Sequence, residues 1–134
     1  MTNIQTIPLT LDDYFILADQ TDDPTEFIHG EMIFMTRSTP AHQVISGLVF
    51  VFLWFCIRKI GGKAFLDVEV VFDDQNSIAP DVVYLKPDNT RCDIGEKRLY
   101  GVPDLVVEIL SASTGKRDRD EKYHLYEQFA VSEY

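Results

Sequence analysis

Cysteine is nearly missing from this chain. Cys56 lies in an apolar run and Cys92 in a polar stretch, with no metal-ligand spacing around either, which argues against a disulfide framework or a zinc site. No signal peptide precedes them, and a reducing cytoplasmic setting is expected. Cations are scarce as well: 12 Lys and Arg stand against 22 Asp and Glu, for a formal net charge of −10 and a pI near 4.5. Such a mean field repels phosphate, which argues against broad adhesion to nucleic acid or to acidic membranes, and any phosphate site must be local. Internal repeats and low-complexity tracts are absent. Long apolar runs are lacking too, because the uninterrupted part of "VISGLVFVFLWFCI" (44–57) extends only from Leu48 to Ile57. Ten residues of helix reach ~15 Å, about half a bilayer's hydrocarbon thickness. The segment is therefore expected to be a helix buried on most sides, in a core or a subunit contact, with no membrane partner.

The chain does contain enough apolar material, 46% of 134 residues, for one compact domain spanning 1–134. Thr10 ahead of an acidic first turn marks a helix start in "LTLDDYFILAD" (9–19). "EFIHGEMIFM" reads as a hairpin turning at His29-Gly30, where glycine permits the positive φ that a reversal needs. A helix over roughly 41–59 follows, closed by Arg58, Lys59 and Gly61-Gly62. "KAFLDVEVVF" then alternates as a strand, "DDQNS" turns, and "IAPDVVYL" returns antiparallel, while 86–102 reads as a polar loop. "DLVVEIL" has the pattern of a strand covered on both faces, and a last helix begins near Asp118. This order predicts an α/β (α+β) fold, a mixed sheet with helices against it.

Two strands begin with Pro-Asp: Pro80-Asp81 and Pro103-Asp104. Glu108 lies deeper in the second, where a buried carboxylate needs a cation, hydrogen bonds or a place at the sheet edge; a solvent-facing strand residue is the plain alternative. Lys122 projects from the apolar stripe formed by Leu125, Tyr126, Phe129 and Ala130 in the last helix. Its stem could cover the core while its ammonium reaches solvent, or the helix could aim that ammonium at acids on the sheet. Two carboxylates on neighbouring strands with a lysine between them suit a hard divalent ion, Mg²⁺ or Mn²⁺, and a phosphate oxygen. Asp81 and Glu108 are the candidate ligands, and Asp104 is expected to cap the turn before its strand.

Taken with "FIHGEMIFM", "AHQVISGLVF" and "IAPDVVYL", the block "GVPDLVVEILSASTGKRDRDEKYHLYEQFAVSEY" resembles the Uma-type restriction-endonuclease-like proteins, a branch of the PD-(D/E)XK nuclease superfamily. The resemblance runs from about Glu26 to Tyr134 and implies a restriction-endonuclease-like mixed sheet flanked by helices. It implies that Asp81, Glu108 and Lys122 form the catalytic set, with Asp81, Glu108 and the peptide oxygen of Ile109 as metal ligands. Three departures stand out. Leu110 occupies the superfamily's usual lysine position, with Lys122 as the displaced equivalent. His29 and Ala112 stand where relatives tend to carry aspartate and proline. Relatives also continue beyond "EY" into further strands, without which a sheet edge would lie uncovered.

Glu31 and His42 are second-rank candidates: Glu31 resembles the family's hairpin acid, and His42 opens the apolar helix, where an N-terminal hydrogen bond is the simpler role. Residues 116–122, "KRDRDEK", could touch phosphate or form a solvated helix start. Ser111 to Thr114 could shape the turn around a substrate. The expected function is a magnesium-dependent endonuclease acting on DNA, as a homodimer. The alternative is a dimeric module that keeps the fold and no longer cuts, and an RNA-directed or structure-specific nuclease would share the same site.

Overall fold

The structure, a computed structural model, describes residues 9–110 and 115–134, with no side-chain description for 115–118. The candidate turn Ser111 to Thr114, with Ala112, lies outside the described residues, as do the side chains of Lys116, Arg117 and Asp118. Helix α1 (Leu11–Asp19) begins with a capping box: Thr10 Oγ1 accepts from the Asp13 N–H, and Asp13 Oδ2 accepts from the Thr10 N–H. Its one buried residue, Tyr14, stacks on Phe27 at 4.8 Å and donates to Glu69 Oε1 at 2.7 Å. Ser77 Oγ and Arg98 Nε also donate to Glu69, so one carboxylate ties α1 to the sheet behind it.

Strands β1 (Thr25–Ile28) and β2 (Glu31–Phe34) form the expected hairpin. His29 (φ 52°) and Gly30 (φ 79°) both take positive φ, as the tight primed turn requires. Helix α2 (Pro40–Ile60) is capped by Thr39 and followed by β3 (Lys63–Leu66), β4 (Val70–Asp73), β5 (Asn76–Ile78) and β6 (Val82–Leu85). β7 (Cys92–Ile94), β8 (Leu99–Gly101), β9 (Leu105–Val107) and α3 (Gly115–Gln128) complete the order. Among the described residues six strands form one mixed sheet in the order β2-β1-β5-β4-β8-β7, with β4 and β8 parallel, and three form an antiparallel sheet, β3-β6-β9. The core joins both sheets to α3 through Val70, Phe72, Ile78, Val83, Leu99, Val106, Leu125 and Tyr126.

Four expectations are corrected. "KAFLDVEVVF" is two strands in different sheets, because Asp67 adopts φ 55° and the chain breaks between β3 and β4. The presumed polar loop 86–102 carries β7 and β8, anchored by Leu99 at 1% exposure, an apolar signal too short to stand out beside its charged neighbours. β9 is short and half-buried at Leu105 and Val107, not covered on both faces. Its outer edge is partly covered, since Glu133 bridges Leu105 in parallel and the Val106 N–H donates to the Glu133 carbonyl.

The fourth correction concerns α2. It runs 21 residues because Pro40, Ala41 and the polar first turn extend the apolar run at one end and Arg58 to Ile60 at the other. By length and composition it could cross a membrane, so the exclusion by length fails. It is also not buried within the chain: of its residues only Ser46 is buried.

Candidate active site

The three-stranded sheet sets the site by register. Leu66 pairs with Val82, and Val82 with Val107. One step further along the same register, just beyond the ends of the three strands, lie Asp67, Asp81 and Glu108. Asp67 N–H donates to the Asp81 carbonyl at 3.0 Å, and all three acids line one cleft of about 650 Å³. The Pro-Asp grammar positions the middle member: Pro80 is fully buried, and Asp81 follows it at the mouth of β6.

Asp81 is held from two sides. Its Oδ2 accepts the Ile109 N–H at 2.6 Å, and its Oδ1 lies 3.0 Å from His42 Nε2. His42 comes from the first turn of α2, where its backbone N–H also caps onto Thr39 Oγ1, and Ser46 Oγ lies 3.5 Å from the other ring nitrogen. Helix α3 supplies the opposite wall. Lys122, 6% exposed, places Nζ 2.9 Å from Glu26 Oε1 and 3.3 Å from Glu108 Oε1, and Tyr126 OH donates to Glu108 Oε1 at 2.5 Å. Lys122 and Tyr126 are four residues apart and so rise from one helix face.

The electrostatics follow from this crowding. Burial pushes the Glu108 carboxyl up to about 7; Lys122 and the Tyr126 hydroxyl pull it down, while Glu26 and Asp81 push it further up. Asp67 is also raised, first by burial and then by the charge of Asp81, with His42 opposing. A carboxyl near neutrality in an acidic cleft can move a proton or meet an added cation.

The structure thus brings Asp81, Glu108, Lys122, Ile109 and His42 into one cleft and leaves Glu31 out of it, exposed at the start of β2. Ile109 presents its N–H, not its carbonyl, to Asp81. Asp104 is a support: its Oδ2 accepts from the Lys86 N–H and from Asn89 Nδ2. Three cleft groups escaped the sequence reading. Asp67 was hidden in an apparent strand, Glu26 resembled an ordinary hairpin acid, and Tyr126 looked like core, although its i+4 spacing from Lys122 was visible.

Among the described residues no three His, Cys, Asp or Glu side chains are gathered into a preformed metal cluster. The donor chemistry nevertheless fits a hard ion that keeps waters and takes few protein ligands, because the cleft offers carboxylate oxygens from Asp81 and Glu108, at the adjoining ends of two paired strands.

The sequence matches the Uma2 family, described as "Putative restriction endonuclease", over residues 11–134. The chain belongs to the Uma2 family. A crystal structure titled as a putative nuclease belonging to DUF820, from Anabaena variabilis ATCC 29413, superimposes with a TM-score of 0.71 at 24% identity, covering 90% of this chain and 69% of the other. That likeness shows the fold: the Uma2 chain shares with that structure a mixed sheet with flanking helices. No curated protein matches it.

Proposed function

We propose that this Uma2 protein is a divalent-metal-dependent nuclease that hydrolyses phosphodiester bonds in DNA. The observation that carries the reading is the row Asp81 and Glu108, one register step beyond the Val82–Val107 pair that joins β6 to β9, with the buried Lys122 ammonium 3.3 Å from Glu108 in the same cleft. Membership in a family described as "Putative restriction endonuclease" supports DNA as the substrate.

Asp81 and Glu108 would hold the ion, Mg²⁺ or Mn²⁺, which when bound supplies Lewis-acid activation of water and of a phosphate oxygen. The chain's own groups do the rest. The Ile109 N–H and His42 fix the Asp81 carboxylate, and Tyr126 fixes Glu108. Lys122, held by Glu26, offers positive charge where the transition state gathers negative charge. Arg37 and Arg119 line the cleft and are local cations in a chain that otherwise repels phosphate. In the net reaction the hydroxyl of water bonds to phosphorus, the P–O bond to one deoxyribose oxygen breaks, and the proton of water goes to that departing oxygen. The proposal includes a homodimer.

Incubation of supercoiled plasmid with the purified protein and Mg²⁺ or Mn²⁺ tests this. Nicking by wild type that is lost with EDTA and in Asp81→Asn is expected. No nicking by clean protein, or equal nicking in the variant, overturns it. One observation favours a second reading, an interaction module that no longer cuts: the uncovered apolar face of α2. That reading predicts no cleavage under any metal condition.

A further inference from the structure

Helix α2 has two faces. At 100° per residue, His42, Ser46, Leu53 and Ile57 point toward β3 and β6, against which the helix packs, and all are buried or half-buried. The opposite half carries Ala41, Val44, Ile45, Leu48, Val51, Phe52, Trp54 and Phe55, every one exposed, with Leu48 at 65% and Phe52 at 68%. Aromatic side chains of this kind bury roughly 150–250 Å² each. The three rings therefore leave on the order of 300 Å² open, already near the largest apolar patch usual on a monomer. Their five aliphatic neighbours bring the face toward the ~800 Å² per partner of a standard stable interface.

The spacing says what kind of surface fits. Ala41, Val44, Leu48, Val51, Phe55 and Arg58 follow one another at intervals of 3, 4, 3, 4 and 3, a seam that accepts another helix by knobs-into-holes packing. The seam is also self-complementary when reversed. In an antiparallel pair centred between Val49 and Phe50, Leu48 faces the other copy's Val51 and Val44 faces its Phe55. Ala41, the smallest member, faces Arg58, the longest. We propose that α2 is the homodimer interface, a two-fold antiparallel helix pair made by a second copy of this chain.

Charge supports the same orientation. The first turn of α2 lies at the acidic cleft, with His42 3.0 Å from Asp81, while the last turn carries Arg58 and Lys59. Antiparallel pairing brings each copy's basic turn beside the other's acidic cleft, so each copy adds two cations at the rim of its partner's site. A bilayer is the poorer occupant. The cleft attached to the helix's first turn would be carried to the headgroups, and a chain of charge −10 is repelled by an anionic leaflet.

Sedimentation velocity at ~1–50 µM tests the pairing, and the interface does not depend on nuclease activity. Wild type is expected to sediment as a dimer, and Leu48→Glu as a monomer with unchanged far-UV circular dichroism. Arg58→Glu, a milder change, is expected to weaken association about tenfold at low salt, with the deficit shrinking at high salt. With Cys56 and Cys92 replaced by serine, a mixture of Leu48→Cys and Val51→Cys proteins should form a mixed disulfide dimer faster than either alone. A monomeric wild type, a dimer indifferent to Leu48→Glu, or partition of wild type onto phosphatidylcholine vesicles as a monomer would each overturn the proposal.

Discussion

Asp81 and Glu108 face each other one register step beyond the Val82–Val107 pair, at the mouth of the same cleft. Because the backbone places both carboxylates, small isosteric changes should remove their chemistry and spare the fold. Glu108→Gln is expected to lower plasmid nicking ~10²- to 10³-fold, the usual size of one lost electrostatic contact, with circular dichroism unchanged. Nicking rates under single-turnover conditions check this.

Lys122 is a structural load as well as an ammonium. Its partner Glu26 is 2% exposed, so removing the cation leaves a buried carboxylate facing the gap. Lys122→Met is expected to cost ~3–5 kcal/mol in urea unfolding, and adding Glu26→Gln should restore part of it. A Lys122→Met variant as stable as wild type would mean that the pair is not formed.

How much of this was legible in the residues depends on the range of each signal. The His29-Gly30 turn, the Thr10 cap and the length of α2 to within a residue at either end are written locally, and the structure has them. The stripe holding Lys122 beside Leu125 and Tyr126 also followed from helical period alone. The row of acids could not be read, because it depends on which strands pair and in what register. Asp67 joins the row only through the kink at φ 55° that moves the chain from one sheet to the other. The exposure of α2 was equally hidden, since a hydrophobic run states that water is unfavourable but not what excludes it.

The raised Glu108 carboxyl has a consequence for stability against pH. Its folded value, about 7, lies above an ordinary glutamate's, so the folded state holds this proton more tightly than the unfolded state does. The contribution is fully present below about pH 4.5 and is lost as pH rises through about 7, up to ~3 kcal/mol. In EDTA, wild type should therefore lose stability relative to Glu108→Gln between pH 5 and pH 8, measured by urea midpoints. A gap that stays constant across this window would contradict the shift.

Tyr126 donates to Glu108 Oε1, a bond that favours the charged carboxylate. Tyr126→Phe is expected to raise the Glu108 titration above its wild-type position in metal-free protein, followed by the side-chain carboxyl carbon signal in NMR. An unmoved titration would mean that the hydroxyl does not hold this carboxylate.

In the proposed site Asp81 and Glu108 together take one divalent ion beside Lys122. Titration of the metal-free protein with Mn²⁺, read by calorimetry and by the paramagnetic signal of the free ion, tests it without any substrate. One bound Mn²⁺ per chain, displaced by Mg²⁺ and lost in both Asp81→Asn and Glu108→Gln, is the predicted result. No binding in wild type, or equal binding in the two variants, would contradict it.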